Sequence, residues 1–79
     1  MSTSARRHKP HPGEIYTVQE DGETLFMVAE RAYGDGNKWT GILVKNPRAV
    51  PERLLKGEQL YIPTEEELLS IVPSAAQAF

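Results

Sequence analysis

Only two stretches of this chain alternate in the manner of a β-strand, and they stand far apart. Glu14 to Glu20 places Ile15, Thr17 and Gln19 on one side and Tyr16, Val18 and Glu20 on the other. Gln59 to Ile62 alternates again, with Leu60 and Ile62 on one side and Pro63 as the stop. A period of two with β-branched and aromatic residues reads as strand. With two strands and no third, the expected solution is an antiparallel ribbon that buries one face under whatever lies between.

What lies between has helical spacing. From Thr24 to Tyr33, the residues Leu25, Val28, Ala29 and Ala32 recur at i, i+3, i+4 and i+7. Glu23 stands at the start of that helix, where negative charge suits the dipole. Gly34 suits its end, and Asp35-Gly36-Asn37 continues the break. Lys38 to Lys45 predicts a shorter second helix, with Trp39, Ile42 and Leu43 on one face. Pro47 disfavours helical backbone at Asn46 and closes it. The expected fold is therefore α+β, of βααβ order, with two helices on one face of a two-stranded antiparallel sheet. Trp39, Leu25, Val28, Ile42 and Leu60 are its expected core.

Two flanks remain. Residues 1–13 hold Arg6, Arg7 and Lys9 with no acid, and almost no apolar side chain; they read as a flexible basic leader. All eleven acids lie from Glu14 onward, so a basic arm precedes an acidic body within a net charge of −2. Three charges without interleaved aromatics make a weak nucleic-acid footprint, and nucleic acid is not the expected partner. Residues 64–79 form the other flank. Thr64-Glu65-Glu66-Glu67 fits a capping box, and Leu68, Leu69, Ile71 and Val72 follow before Pro73. Such a tail either packs back onto the domain's own sheet, as small domains often need, or docks another protein through Leu68, Leu69, Ile71, Val72 and Phe79.

Chemistry is sparse. A chain of 79 residues without cysteine forms one domain with no disulfide or thiolate. His8 and His11 lack further ligands at metal spacing. No serine has a triad context and no glycine-rich phosphate loop is present. An enzyme, a metal site and a cofactor are therefore not expected. No apolar run approaches the ~20 residues that span a bilayer. Pro10, His11, Pro12 and Gly13 follow Arg6-Arg7 where a secretory signal would be apolar. The expected location is the cytoplasm or a virion or other particle.

Tyr16 and Val18, Thr24-Leu25, Ala29, Tyr33-Gly34, Trp39, Ile42, Asn46 and the set Gly57, Leu60, Ile62 and Pro63 follow one another as in the LysM domain. This chain resembles that family over about two-thirds of its length. It departs in Glu23, where the family usually has Asp, and in Lys56-Gly57-Glu58-Gln59, one residue longer than the common Pro-Gly-Gln close. LysM domains are best known for holding N-acetylglucosamine glycans between two loops. Carried over, the resemblance implies Asp21, Gly22, Glu23, Thr24 and Leu25 opposite Asn46, Pro47, Arg48 and Val50. Backbone groups freed by the Gly22 turn would pair with an acetamido group, and Leu25 or Val50 would take its methyl. The plainer reading makes Gly22 and Thr24 turn and cap residues and Asn46 a helix terminator.

Two functions follow from the resemblance. One is peptidoglycan or chitin binding, which a single shallow site serves weakly without the effective concentration of tandem copies. The other is a structural adaptor, as in small free-standing LysM-like proteins of phage tails and contractile injection baseplates. The single module, the basic leader and the apolar tail together favour the adaptor.

Overall fold

A computed structural model describes residues 9–70. Most of the expected leader, with Arg6, Arg7 and His8, lies outside them. Strand β1 (Ile15–Thr17) leads to helix α1 (Leu25–Tyr33), a 3-10 turn (Gly36–Lys38), helix α2 (Trp39–Lys45) and strand β2 (Gln59–Tyr61). A further helix, α3, occupies 65–70. The two strands are antiparallel, with Ile15 opposite Tyr61, Tyr16 opposite Leu60 and Thr17 opposite Gln59. The class is α+β, and the order is compatible with βααβ.

Both strands are shorter than their alternation, for a reason at each end. Pairing continues past β1 to Val18, whose N–H donates to Glu58 O at 2.8 Å and whose carbonyl accepts from Gly57 N at 2.9 Å. It stops there because the next two amides, of Gln19 and Glu20, turn to the Glu23 carboxylate. At the other end, Ile62 N donates to Glu14 O at 2.9 Å and Gly13 N to Ile62 O at 2.6 Å. Pro10 is fully buried. The packed domain thus reaches back to Pro10, four residues before the expected boundary at 14.

The inward face of the sheet is Tyr16, Val18, Leu60 and Ile62, while Ile15 faces solvent. That face shares one core with Leu25, Val28 and Ala29 of α1, Ile42 of α2 and Leu54 of the following loop. At roughly 1.5–3 kcal/mol per fully buried aliphatic side chain, this cluster is the main driving force for folding. Trp39 is only partly buried at its border. Of the expected core, Leu25, Val28, Ile42 and Leu60 are buried; Trp39 is corrected to a residue packed against the cluster, which Tyr16, Val18, Leu54 and Ile62 complete.

Local chemistry sets the helix ends. Thr24 has extended backbone, and its Oγ1 accepts from Met27 N at 3.1 Å. Gly34 closes α1 at φ 77°, the left-handed conformation that glycine adopts without a Cβ penalty. Asp35 then accepts from Asn37 N at 2.9 Å, which turns the expected plain break into a capped 3-10 turn. The Phe26 ring lies directly over Gly36, so a Cβ there would collide with it.

The capping box at Thr64 is formed in both directions. Glu67 N donates to Thr64 Oγ1 at 3.1 Å, and Thr64 N donates to Glu67 Oε1 at 2.8 Å. Tyr61 OH also donates to Glu67 Oε1, at 2.8 Å. Leu68 is 5% exposed and presses on Gly41 of α2, where a Cβ would overlap its Cδ2. The tail therefore begins as part of the domain, with Leu68 packed on α2 and Glu67 bonded to Tyr61 of β2.

Candidate functional site

The two loops of interest are 21–25, entering α1, and 46–50, leaving α2. Gly22 turns the first loop at φ 95°, a conformation glycine takes at no steric cost. This aims the loop's backbone at residues 51–54 rather than at 46–50. Gly22 N donates to Leu54 O at 2.9 Å, Leu54 N to Glu23 O at 2.7 Å, and Leu25 N to Pro51 O at 2.9 Å. Asp21 Oδ1 accepts from Lys56 N at 2.8 Å. Thr24 Oγ1 is the α1 cap, and Leu25 is fully buried.

Glu23 is the least ordinary residue of this loop. It is 8% exposed, yet it carries a carboxylate. Oε1 accepts from Tyr16 OH at 2.8 Å, and Oε2 accepts from Gln19 N and Glu20 N, both at 3.1 Å. Arg31 Nη1 stands 3.9 Å from Oε1 and also donates to Tyr16 OH at 3.5 Å. Burial of a charge is tolerable when donors surround it, and here they do. The consequence for Tyr16 is direct. Burial first, then the Glu23 hydrogen bond and charge, push its phenol up to about 12, against a smaller lowering by Arg31. The expectation placed Glu23 at the ligand; its carboxylate instead faces inward and holds the 19–23 turn.

Asn46 has a comparable task at the opposite loop. Its Nδ2 donates to Ile42 O and Tyr61 O, both at 2.8 Å, and its Oδ1 accepts from Tyr61 N at 2.9 Å. It ends α2 and closes the outer edge of β2 with one side chain. Pro47, Arg48 and Val50 are exposed. Arg48 makes no hydrogen bond or ion pair among the described residues.

A shallow pocket of about 260 Å³ lies beside this second loop, lined by Asn46, Pro47, Arg48, Ala49, Glu58, Gln59 and Leu60. It brings together three of the expected residues, and neither Val50 nor any of Asp21 to Leu25 joins them. Three of its other lining residues, Ala49, Glu58 and Gln59, were not singled out from the sequence. The side chains of Arg48 and Gln59 remain available to a polar ligand there, while Glu58 Oε1 accepts from Leu55 N at 3.1 Å. Of the tail, Leu68 is buried and Leu69 is exposed; Ile71, Val72 and Phe79 lie outside the described residues.

Among the described residues no three His, Asp or Glu side chains are grouped to hold a metal ion. No described helix is long and apolar enough to cross a membrane. Comparison of the chain with known protein families, with curated proteins and with solved structures finds no match.

Proposed function

We propose that this chain is a non-catalytic module of the LysM type that serves as a structural adaptor, docking other proteins within a phage tail or contractile injection baseplate. One observation carries the choice of adaptor over sugar reader. Gly22 N–H, Leu25 N–H and Glu23 C=O, which a sugar acetamido group would need, are bonded to Pro51 and Leu54. A ligand would have to break those pairs, and unmaking a buried pair costs about 1–3 kcal/mol for each group left without a partner. Exposed Val50, Leu55 and Leu69 offer apolar contacts of the kind protein interfaces use.

The second reading, binding of peptidoglycan or chitin through N-acetylglucosamine, draws support from the pocket beside Arg48. Titration with chitin oligomers, followed by the backbone amide resonances of Gly22, Thr24 and Arg48, separates the two. The adaptor reading expects no saturable shift at millimolar ligand, together with incorporation of the chain into an assembled particle. Saturable shifts at those three amides, with no incorporation, would replace it by the glycan reading.

A further inference from the structure

The two edges of the sheet are not alike. Val18 N donates to Glu58 O and Ile62 N donates to Glu14 O, with Tyr16 opposite Leu60 between them. The backbone groups of Glu14, Tyr16 and Val18 therefore point toward β2. Those of Ile15 and Thr17 point away from it, because bonding alternates along an antiparallel strand. On β2 the outward groups belong to Gln59 and Tyr61. Asn46 occupies Tyr61, donating to its carbonyl at 2.8 Å and accepting from its N–H at 2.9 Å. A side chain thus stands where a neighbouring strand would, and only Gln59 is left beside it.

β1 has no such cover among the described residues. The sheet ends at β1. The N–H groups of Ile15 and Thr17 and the Ile15 carbonyl have no hydrogen-bond partner among the described residues. The Thr17 carbonyl accepts a long bond, 3.3 Å, from Gln19 Nε2. The Ile15 side chain beside them is 54% exposed. An open edge of this kind is a template for another strand.

One register fits this edge to itself. Beyond Thr17, the Gln19 amide is taken by Glu23 Oε2; before Ile15, the Gly13 amide is taken by Ile62 O. Ile15 and Thr17 are thus the available pair. A two-fold axis at Tyr16 sets Ile15 of one copy opposite Thr17 of the other, and the reverse, so each free N–H meets a carbonyl. An axis at Ile15 or at Thr17 would face one of the pair with Gly13 or Gln19, whose amides are engaged. In the matching register Glu14 stands opposite Val18, so no like charges face one another, a pairing that sheets penalise. On the outer face Ile15 gains the Thr17 methyl group as a cross-strand neighbour.

We propose that the open edge of β1 pairs with β1 of a second copy, antiparallel about a two-fold axis at Tyr16, to make one four-stranded sheet. Growth stops at two copies, because Asn46 blocks the outer edge of β2 in each. A strand of three residues makes a small interface, at the weak end of protein association, so the pair forms where copies are held close together. The pairing does not depend on whether the module joins an assembly or reads a sugar.

The test uses the whole chain, diluted from millimolar to micromolar. The amides of Ile15 and Thr17 are expected to shift with concentration and to exchange more slowly at the high end, while Gly22 and Asn46 stay unchanged. A mixture of isotope-labelled and unlabelled copies is expected to show cross-relaxation between the Tyr16 Hα atoms of the two copies, which approach closely in a non-hydrogen-bonded antiparallel pair. Thr17→Pro removes an outward N–H that the ladder to β2 does not use, a change edge strands tolerate. It is expected to abolish both signals, and Ile15→Lys, at an exposed position, to do so through its charge. A chain that sediments as a monomer at millimolar concentration, with both amides unmoved by dilution, would overturn the proposal. Equal protection of both amides at every concentration would overturn it too, since the edge would then be covered within one copy. A dimer lacking the Tyr16 contact would place the interface elsewhere and overturn it. Saturable shifts of the two amides only on adding an extended peptide of alternating valine and threonine would assign the edge to a partner's strand, again overturning it.

Discussion

Glu23 and Asn46 fasten the two loops of this domain to the same sheet with opposite chemistry. Glu23 is an acceptor only, and everything around it donates: a phenol, two backbone amides and, at longer range, a guanidinium. Asn46 faces a mixed set, one backbone N–H and two carbonyls, and answers with one acceptor and two donors. The first arrangement accommodates charge and the second forbids it. Of the Glu23 partners, only Tyr16 can reverse its role, because a hydroxyl rotates between donor and acceptor. The Asn46 partners are all backbone and cannot.

Deleting each anchor gives the largest effects. Glu23→Ala leaves the amides of Gln19 and Glu20 and the Tyr16 hydroxyl without their acceptor, and is expected to cost about 3–5 kcal/mol. That is a large share of the roughly 5–15 kcal/mol that holds a domain together. Urea denaturation with a lowered midpoint would record it; a loss below about 1 kcal/mol would mean that water replaces the carboxylate. The swaps sharpen the contrast. Asn46→Asp turns an acceptor toward Ile42 O and Tyr61 O and should cost about 3 kcal/mol, whereas Glu23→Gln should cost about 1. In Glu23→Gln the amide oxygen keeps the two backbone donors and Tyr16 turns to accept. Equal losses from the two swaps would remove the distinction. The carboxyl that Asn46→Asp introduces is also favoured in its neutral form on folding. The gap between this variant and the unmutated chain should therefore narrow as pH falls toward ~4, the ordinary aspartate value, and hold steady below it.

These two anchors also mark where the sequence was legible. The α+β class and its paired strands could be read from it, because periods of two and 3.6 are written in single residues such as Val28 and Leu60. The Thr64 capping box could be read because both of its partners lie within four residues. What could not be read depends on contacts distant in sequence. The resemblance set Glu23 beside a ligand; its inward position depends on Tyr16, seven residues earlier. Leu54 lies in a loop with no periodicity of its own, yet it bridges to Glu23 and its side chain is core. Asn46 was read as a helix terminator or a ligand contact, and its hold on β2 fifteen residues later has no local signature.

Alkaline pH probes the Glu23 side of the comparison through Tyr16. The Tyr16 phenol is about 12 in the folded chain and near 10 when unfolded. The stability this contributes is complete below pH 10 and is lost as pH rises toward 12. Tyr33 is raised as well, by burial first and then by Glu65 and Glu67. Phenolate absorbance should therefore appear late and together with unfolding. In Tyr16→Phe the slope of stability against pH between 10 and 12 should become shallower. An unchanged slope would mean that Tyr16 ionises without disturbing Glu23.

The smallest expected effects belong to α3, which neither anchor reaches. Gly41→Ala adds about 1 kcal/mol of helix propensity but drives a methyl group into Leu68. Leu68 meets it with the flexible end of its side chain, so the net change should stay within about 1 kcal/mol, while amide exchange at Leu68 quickens. Acid loosens the same helix from its other end. Glu67 is held below the ordinary glutamate value, chiefly by the Thr64 backbone N–H and next by the Tyr61 hydroxyl. A depressed carboxyl stabilises above its unfolded value and ceases to do so as pH falls through its folded one. Amide exchange in 65–70 should thus accelerate on acidification before the Asn46 hold on Tyr61 gives way, since that hold runs through an amide side chain and backbone groups, none of which titrates. Simultaneous loss of both would show that α3 is an integral layer of the fold rather than an attachment to it.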